Sequence, residues 1–520
     1  MAKKFNITGK CHPTKHYMAD VSGKLAQIRK MVEEGDYFII NRPRQYGKTT
    51  TLYQLSDTLR ATGEYIVLNT SFEGIGDTLF QDESLFSPNL IRQWAKYAKM
   101  YLPDWTDWLL EQSKHVTNLS DVSDLITLML EKTDKKVVLL IDEVDKSSNN
   151  QLFISFLAML RNKYLESDIF KTFHSVILAG VHDIKSLKLK IRAGEEQKLN
   201  SPWNIAADFK VDMNLQPFEI KPMLDEYVAE KGVKMDTEYM AERLFYYTSG
   251  YPFLVSKLCK MLDEDILPTK EIKELTENDL ELAVRKLIAE SNSNFDSLIK
   301  NLENNKELYS LVYSIAIDGE PVSLNIHHPT TNLGVLYGIF RSNGRLSIHN
   351  KIYNELIVNY MTDKLHQEQL AEGFKFESGY TNPDKKSLNM EAVLLKFQAF
   401  MREQYSKKDR DFLEHNGRLV FLAFMKPILN GHGYDFKEAQ ISEERRLDVT
   451  ITFYQHKYVA ELKIWRGPAA HKEGLSQLNN YLNILGLSEG FLIIFDHNEI
   501  KTWKSEWMEY EGKKIFAVWV

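Results

Sequence analysis

The stretch Asn41–Thr50, NRPRQYGKTT, decides how the first half of the chain folds. Its end, Gly47-Lys48-Thr49, fits the phosphate-loop pattern G-x-x-x-x-G-K-[ST], but Arg42 stands where that pattern has its first glycine. Three matching residues can arise by chance, so the flanking sequence has to decide. An apolar segment, Tyr37–Asn41, precedes the loop, and an amphipathic segment, Thr49–Ala61, follows it. This strand-loop-helix context predicts a phosphate loop, because backbone N–H groups and the helix dipole then converge on the phosphates.

The residues of this loop predict a site for ATP and Mg2+. Lys48 would hold the β- and γ-phosphates, and Thr49 would be a ligand of the metal. The other residues of the loop that we expect to contact the nucleotide are Arg42, Pro43, Arg44, Gln45, Tyr46, Gly47 and Thr50.

A second signal for a nucleotide site, made of two acidic residues, lies further along the chain. The predicted strand Lys136–Ile141 is an unbroken apolar run after its first residue, and Asp142 and Glu143 follow it. Parallel strands end at one edge of a sheet, so Asp142 is expected to face the bound metal, and Glu143 would polarise the attacking water. A buried strand that merely ends in acids is the alternative. The loop upstream favours the nucleotide interpretation.

Strands and helices alternate through the first half, which is typical of a doubly wound α/β core with a parallel sheet. The predicted strands are Tyr37–Asn41, Tyr65–Asn69, Lys136–Ile141 and Ser175–Ala179, and the predicted helices include Thr49–Ala61, Leu90–Tyr101, Val122–Lys132 and Leu152–Leu165. A helical lid is predicted next, from Pro222–Lys231, Asp236–Thr248, Pro252–Asp263 and Glu277–Glu290. The turn Ser342-Asn343-Gly344 suggests a small winged-helix-like unit. The segment Asp363–Ser387 is polar and is predicted to be a linker.

Composition excludes several classes of protein. The 520 residues are 43% hydrophobic and 26% charged, with a formal net charge of -7, so nucleic acid would have to bind at a local basic patch. Only Cys11 and Cys259 are present, which argues against a disulfide framework and favours a reducing cytoplasm. No apolar run is long enough for an export signal or a membrane span, so no membrane partner is expected.

The second half carries a different pattern. Two helices, Glu391–Tyr405 and Asp409–Met425, are expected, the second interrupted at Asn416-Gly417. The strands Leu447–Phe453 and Tyr458–Trp465 follow, then the helix Glu473–Leu485 and the strand Gly490–Phe495. A hairpin with its tip at Gln455-His456 would pair Asp448 with Lys463 and Thr450 with Glu461, all four on one face. The opposite face would be apolar, made of Val449, Ile451, Phe453, Ala460, Leu462 and Ile464.

Paired carboxylates on that face suggest metal chemistry. Asp448 and Glu461 would bind Mg2+, with Mn2+ as an alternative, and Lys463 would orient a water or support a phosphate. That chemistry is phosphodiester hydrolysis. An exposed set of cross-strand salt bridges would show the same residues, so this alternative stays open.

The first half resembles the AAA-like ATPases of bacteria and archaea. The stretches that carry the resemblance are YFIINRPRQYGKTTTL, KVVLLIDEVDK, SPWNIAADF and TSGYPFL, within about residues 1 to 360. In such proteins an R-P-R-x-x-G-K-[ST] loop replaces the glycine-led one, so Arg42 is in keeping with the family and should bear on turnover. The resemblance also implies that Gly250-Tyr251-Pro252 and His16-Tyr17 approach the nucleotide base.

The last part of the chain resembles the PD-(D/E)xK nuclease superfamily, the restriction-endonuclease-like fold. Glu414, Asp448, Glu461-Leu462-Lys463 and Gln477 carry this resemblance, which covers about residues 388 to 520. It implies catalytic roles for these residues, although Leu447 rather than proline precedes Asp448.

The sequence therefore predicts two activities in one chain. We expect a P-loop ATPase core at 1–215, a helical lid at 216–295, a winged-helix-like unit at 296–362, a linker at 363–387 and a nuclease-like domain at 388–520. ATP turnover would control cleavage of DNA or RNA, and the resemblance implies a defence or mobile-element role. The alternatives are a regulatory switch whose nuclease-like domain only binds nucleic acid or a protein, and an ATPase that remodels a partner. A protein partner or a second copy of the chain is a further expectation.

Overall fold

The chain folds into two compact units. The first comprises Met1–Asn301, Asn325–Arg341 and His349–Ile352, and the second Leu302–Leu324, Ser342–Ile348 and Tyr353–Val520. The segment predicted as a winged-helix-like unit thus contributes to both, and the predicted domain boundaries stay a prediction. The computed structural model describes residues 3–73, 77–99, 101–144, 151–181, 203–318, 322–323, 325, 328–342, 345–369, 380, 382, 387–404, 410–429, 433–437, 449–453, 456–465, 468–496, 501 and 503–520.

A four-stranded parallel sheet forms the centre of the first unit. Its strands are β1 (Phe38–Asn41), β2 (Tyr65–Ser71), β3 (Lys136–Asp142) and β4 (Ser175–Gly180), in the order β1-β4-β3-β2. The helices are α1 (Ser22–Glu33), α2 (Lys48–Ala61), α3 (Glu83–Ala98), α4 (Pro103–Gln112), α5 (Leu119–Glu131) and α6 (Gln151–Leu165). The predicted strands and helices of this core are confirmed. Most ends shift by a few residues, but α3 begins at Glu83, seven residues before the predicted Leu90.

Apolar layers cover both faces of this sheet. On one face, Leu139 and Leu178 pack with buried residues of α3, α5 and α6; on the other, Val138 and Ile177 pack with α1 and α2. Successive residues of a strand point to opposite faces, so unbroken apolar runs are what a sheet covered on both sides requires. The doubly wound α/β prediction is confirmed.

Four further helices make up the predicted lid. They are α7 (Pro217–Lys231), α8 (Thr237–Thr248), α9 (Pro252–Met261) and α10 (Glu277–Ala289). Gly250, between α8 and α9, has a φ of +74°, and a Cβ there would lie 2.2 Å from the Leu215 carbonyl oxygen. Glycine is required at this position, because the close approach to the backbone excludes a Cβ and the left-handed conformation disfavours any other residue.

The segment between the lid and the second sheet contains short elements and one long helix, α14 (Lys351–Gln369). The short elements are α11 (Ser293–Glu303), α12 (Lys306–Tyr313), α13 (Pro329–Leu336), β5 (Phe340–Ser342) and β6 (Leu346–Ile348). The turn residues Asn343 and Gly344 lie outside the described residues. Helix α14 continues into the segment predicted as a linker, so the first residues of that segment, through Gln369, are helical. None of the helices within the described ranges is long and apolar enough to cross a bilayer.

A six-stranded mixed sheet forms the centre of the second unit. Its strands are β7 (Gly433–Lys437), β8 (Val449–Phe453), β9 (His456–Ile464), β10 (Glu489–Phe495), β11 (Ser505–Tyr510) and β12 (Lys513–Trp519), in the order β11-β12-β10-β9-β8-β7. The helices are α15 (Met390–Gln404), α16 (Arg410–Leu429) and α17 (Pro468–Ile484). Strands β8 to β10 and helix α17 correspond to the predicted elements, with their ends shifted by a few residues.

Helix α16 runs without a break through Asn416-Gly417, so the predicted interruption is wrong. A Cβ at Gly417 would lie 2.5 Å from Cε1 of Phe495, on β10. The glycine is required by this close approach of helix and sheet, and not by a turn.

The predicted pairing of the β8–β9 hairpin is also wrong. Thr450 pairs with Val459 instead of Glu461, and the last pair before the turn is Phe453 with His456. The turn therefore starts one residue earlier than expected. Alternate residues still share a face, so Glu461 and Lys463 lie on the same side of the sheet. The predicted apolar face is not buried along its whole length, because its last residue, Ile464, is 43% exposed.

Candidate functional site

The phosphate-loop segment joins the end of β1 to the start of α2. Gly47 caps the helix in the left-handed conformation, with φ 80° and ψ 7°. Within the loop, which is described throughout, Gln45 (56°) and Gly47 (80°) are the residues with positive φ. A glycine is therefore not needed at position 42, and Arg42 is compatible with the loop's backbone.

Lys48 lies at the start of α2 and is buried. Its ammonium donates hydrogen bonds to the carbonyl oxygens of Arg42, at 2.9 Å, and Pro43, at 2.8 Å. The cation of the loop is thereby held against the loop's own backbone. The ammonium thus lies at the N-terminal end of α2, and helix N-termini are the ends that bind anions such as phosphate.

Thr49 and Asp142 meet where α2 begins and β3 ends. The Thr49 hydroxyl donates to Oδ2 of Asp142 at 2.7 Å. Burial raises the pKa of Asp142, while the hydrogen bonds from Thr49 and from the Glu143 N–H and the charge of Lys48 act in the opposite direction. A hydroxyl and a carboxylate are the oxygen ligands that Mg2+ prefers, so this pair fits the predicted metal.

Glu143 follows Asp142 in a left-handed conformation, with φ 57°. Its backbone N–H donates to Oδ1 of Asp142 at 2.9 Å. A non-glycine residue pays a conformational cost for such a backbone, and positions of this kind cluster at functional sites. The role of Glu143 as a base stays a prediction.

The Arg42 side chain is bound to residues that follow β4 in the chain. Its guanidinium donates to the Val211 carbonyl at 2.8 Å and to the Asn41 carbonyl at 3.0 Å, and lies 5.0 Å from the centre of the Phe209 ring. Burial lowers the pKa of this guanidinium. Arg42 thus anchors the loop from outside, and its predicted contact with the nucleotide stays a prediction.

The other loop residues divide into exposed and packed ones. Arg44 and Gln45 are exposed, whereas Tyr46 is buried. The Tyr251 hydroxyl donates to the Arg44 carbonyl at 2.6 Å, so the Gly250-Tyr251-Pro252 segment contacts the loop itself. Thr50 accepts a hydrogen bond from the Cys11 N–H at 3.1 Å.

The second predicted pair, His16 and Tyr17, lies near the N-terminus. Tyr17 is buried, with its ring 4.9 Å from that of Phe5 and 5.4 Å from that of Tyr227. Its surroundings explain its burial by packing alone, and its approach to a base stays a prediction.

A second polar cluster lies in the second unit, where β9 faces α17. The Lys463 ammonium lies 2.8 Å from Oε1 of Glu461 and donates to Oε1 of Gln477 at 2.5 Å. Gln477 in turn donates to Glu473 at 3.2 Å. The structure therefore brings Glu461, Lys463 and Gln477 together.

Glu461 is 1% exposed, and burial raises its pKa while Lys463 and Arg418 act to lower it. Within the described part of the chain its Oε2 has no hydrogen-bond partner. A buried carboxylate oxygen without a partner is costly, and a metal ion is one group that would compensate it. The oxygen therefore fits the predicted Mg2+ or Mn2+.

The remaining predicted residues of this cluster cannot be placed. Asp448 lies outside the described residues, and although Glu414 falls within α16, its side chain lies outside them too. Sequence reasoning missed Glu473 and Gly474. A Cβ on Gly474 would lie 3.2 Å from Cγ of Lys463, so this glycine lets α17 approach the lysine. The i, i+4 spacing of Glu473 and Gln477 was the available signal.

Searches of solved structures return proteins of low similarity. The ADP form of the Aeropyrum pernix ORC2 protein is 12% identical and has a TM-score of 0.37, with 68% of this chain and 96% of that chain covered. The Thermotoga maritima RuvB Holliday junction branch migration motor is 16% identical and has a TM-score of 0.33, with 65% and 95% covered. Neither supports a conclusion about fold or function at such scores. No curated protein matches the chain.

The comparison with protein families gives a broader result. The model of one family, described as an AAA-like domain, matches residues 11–359, which is more than half of the chain. This span contains the loop at Lys48 and Thr49, the acids at Asp142 and Glu143, and the lid. The chain belongs to the AAA-like domain family.

Proposed function

We propose that the first unit binds and hydrolyses ATP and thereby controls a metal-dependent phosphodiesterase in the second unit, which acts on DNA or RNA. The contact between Thr49 and Asp142, beside the buried ammonium of Lys48, is the observation that carries the first part. Membership of the AAA-like family supports it.

Each residue of the first site has a distinct task in this proposal. Lys48 would leave the carbonyls of Arg42 and Pro43 and bind the β- and γ-phosphates. Thr49 and Asp142 would hold Mg2+, which neutralises the charge that develops on the phosphates. Glu143, in its left-handed conformation at the end of β3, would orient and polarise the attacking water.

The second site supports hydrolysis through its buried ion pair. Glu461 supplies an oxygen that has no hydrogen-bond partner among the described residues and could bind Mg2+ or Mn2+. Such an ion would lower the pKa of a bound water. Lys463 lies beside the Glu461 carboxylate and would stabilise the negative charge that develops on the phosphate. Gln477 holds the ammonium in place.

A regulatory switch with a purely binding second unit is the rival function. It is favoured by the engagement of Lys463 with both Glu461 and Gln477, since an ammonium with two partners also serves to stabilise a fold. The rival predicts binding of nucleic acid or of a protein without cleavage.

Cleavage assays on mixed DNA and RNA separate these functions. The wild type would be compared with Glu461→Gln and Lys48→Ala, with Mg2+ or Mn2+, with and without ATP. Glu506→Gln is the matched control, because Glu506 also pairs with a lysine two residues away but at the surface. We expect ATP-dependent cleavage by the wild type and the control, and loss of cleavage in the other two variants.

The opposite outcomes are equally clear. No cleavage by the wild type under any of these conditions would remove the nuclease function and leave the switch. Cleavage that is indifferent to ATP and to Lys48→Ala would remove the coupling. Cleavage that survives Glu461→Gln would place the activity elsewhere.

A further inference from the structure

Tyr46 is a buried tyrosine inside the phosphate loop, and its hydroxyl lies between two side chains from distant parts of the first unit. It is 2.9 Å from Nε2 of His349, and it donates to Oδ1 of Asn214. His349 follows β6, and Asn214 precedes α7. The loop is therefore tied to two segments that lie outside the sheet.

The protons of this cluster can be assigned from its partners. The Asn350 amide lies 3.3 Å from Nδ1 of His349 and donates to it, so the ring's proton sits on Nε2. That proton is donated to the Tyr46 oxygen, which leaves the Tyr46 hydroxyl free to donate to Asn214. Burial and the nearby charge of Arg341 lower the pKa of His349 to about 3, so the ring is neutral at physiological pH.

Further contacts hold the same loop. The Tyr46 ring lies edge-on to Tyr251, at 4.7 Å, and the Tyr251 hydroxyl binds the Arg44 carbonyl. A Cβ on Gly338 would lie 2.7 Å from Cγ of Pro43, which shows how closely that residue approaches the loop. A loop with Arg42, Arg44 and Tyr46 before its single glycine thus takes part of its support from neighbouring segments.

We propose that Tyr46 and His349 are positioning residues of the nucleotide site, through which nucleotide binding and the docking of His349 on the loop stabilise each other. The inference rests on the proposed nucleotide binding. Coupling of this kind is reciprocal: if docked His349 favours nucleotide, bound nucleotide must favour docked His349 by the same factor. Ordinary packing of a buried tyrosine would give no such reciprocity.

Binding of ATP and of ADP, measured by calorimetry on folded variants of the full chain, tests the first direction. Tyr46→Phe removes the hydroxyl and keeps the ring, and His349→Leu removes the donor. We expect both to weaken binding about 5- to 150-fold. His349→Gln keeps an N–H near the position of Nε2 and should restore most of the affinity. Tyr239→Phe is the control, since this hydroxyl binds Glu277 at the surface of the lid.

Hydrogen exchange tests the reverse direction. The His349 N–H donates to the Ile339 carbonyl at 2.7 Å, so its exchange reports how often the segment opens locally around His349. Nucleotide should slow that exchange in the wild type and not in Tyr46→Phe. Unchanged affinity in Tyr46→Phe, or equal weakening by His349→Leu and His349→Gln, would overturn the proposal.

A wild type that binds no nucleotide would contradict the proposed function. The contact between Tyr46 and His349 can still be tested separately. In the nucleotide-free protein, Tyr46→Phe should speed exchange at the His349 amide. An unchanged rate there would overturn the inference on its own.

Discussion

The hydroxyl of Thr49 and the carboxylate of Asp142 are hydrogen-bonded at 2.7 Å, which joins the first turn of α2 to the end of β3. These residues are far apart in sequence, and parallel pairing of the strands brings them to one edge of the sheet. Burial around this contact disfavours the charge on Asp142. The site therefore carries a carboxylate whose charge is unfavourable until a cation compensates it.

The first prediction concerns the stability of the protein without nucleotide or metal. The pKa of Asp142 is raised in the folded state, so its stability contribution is present below the ordinary carboxyl pKa and is lost as pH rises through the raised value. Asp142→Asn keeps an acceptor for Thr49 and removes the charge. Its Tm should exceed that of the wild type at pH 7, and the difference should vanish as pH falls toward about 4, the ordinary carboxyl pKa.

Thermal melts in the presence of a chelator would measure this difference. Asp57→Asn is the control, because Asp57 lies on the exposed side of α2 and its replacement should leave the Tm nearly unchanged. A lower Tm for Asp142→Asn than for the wild type at pH 7 would contradict the assignment of burial as the dominant effect.

The second prediction separates the two arginines of the loop. Arg42 is bound to Val211, whereas Arg44 is exposed. Arg42→Ala should lower the free energy of unfolding by about 1.5–3 kcal/mol, because a hydrogen bond from a charged group is lost. Arg44→Ala should change it by less than about 0.5 kcal/mol, as surface substitutions usually do. Urea denaturation checks both values, and equal effects of the two variants would argue against the anchoring role of Arg42.

The third prediction tests the close approach of α16 to the sheet. Gly417→Ala would place a methyl group 2.5 Å from the Phe495 ring and should cost about 1–3 kcal/mol of stability, as overpacking does. Gly23→Ala, in α1, meets nothing within 4 Å and should stabilise by about 0.5–1 kcal/mol. Chemical denaturation of both variants gives the comparison. A stabilising Gly417→Ala would show that the helix and sheet are further apart.

Much of the first unit's fold follows from local patterns. The run Val137–Ile141 predicts a buried strand because it is apolar on both faces. The position of Thr49 and Asp142 at one sheet edge follows from parallel topology. Local periodicity is sufficient in such segments. The contact of Thr49 with Asp142, in the candidate nucleotide site, was predictable for the same reason.

The features that were predicted wrongly or missed have a different cause. Most of them depend on contacts between residues that are distant in sequence. Asn416-Gly417 resembles a helix break until Phe495 is known to lie against the glycine. The hairpin register depends on where its turn starts, and one residue changes every pair. No local signal connects Tyr46 with His349 or Arg42 with Val211.

Hydrolysis of ATP by the purified full-length chain tests the central claim most directly. The wild type would be compared with Lys48→Ala and Glu143→Gln, with nucleotide binding and phosphate release measured on the same samples. We predict Mg2+-dependent hydrolysis by the wild type, loss of binding in Lys48→Ala, and binding without hydrolysis in Glu143→Gln. A wild type that binds no ATP, or a Lys48→Ala variant that hydrolyses it at the wild-type rate, would contradict the account.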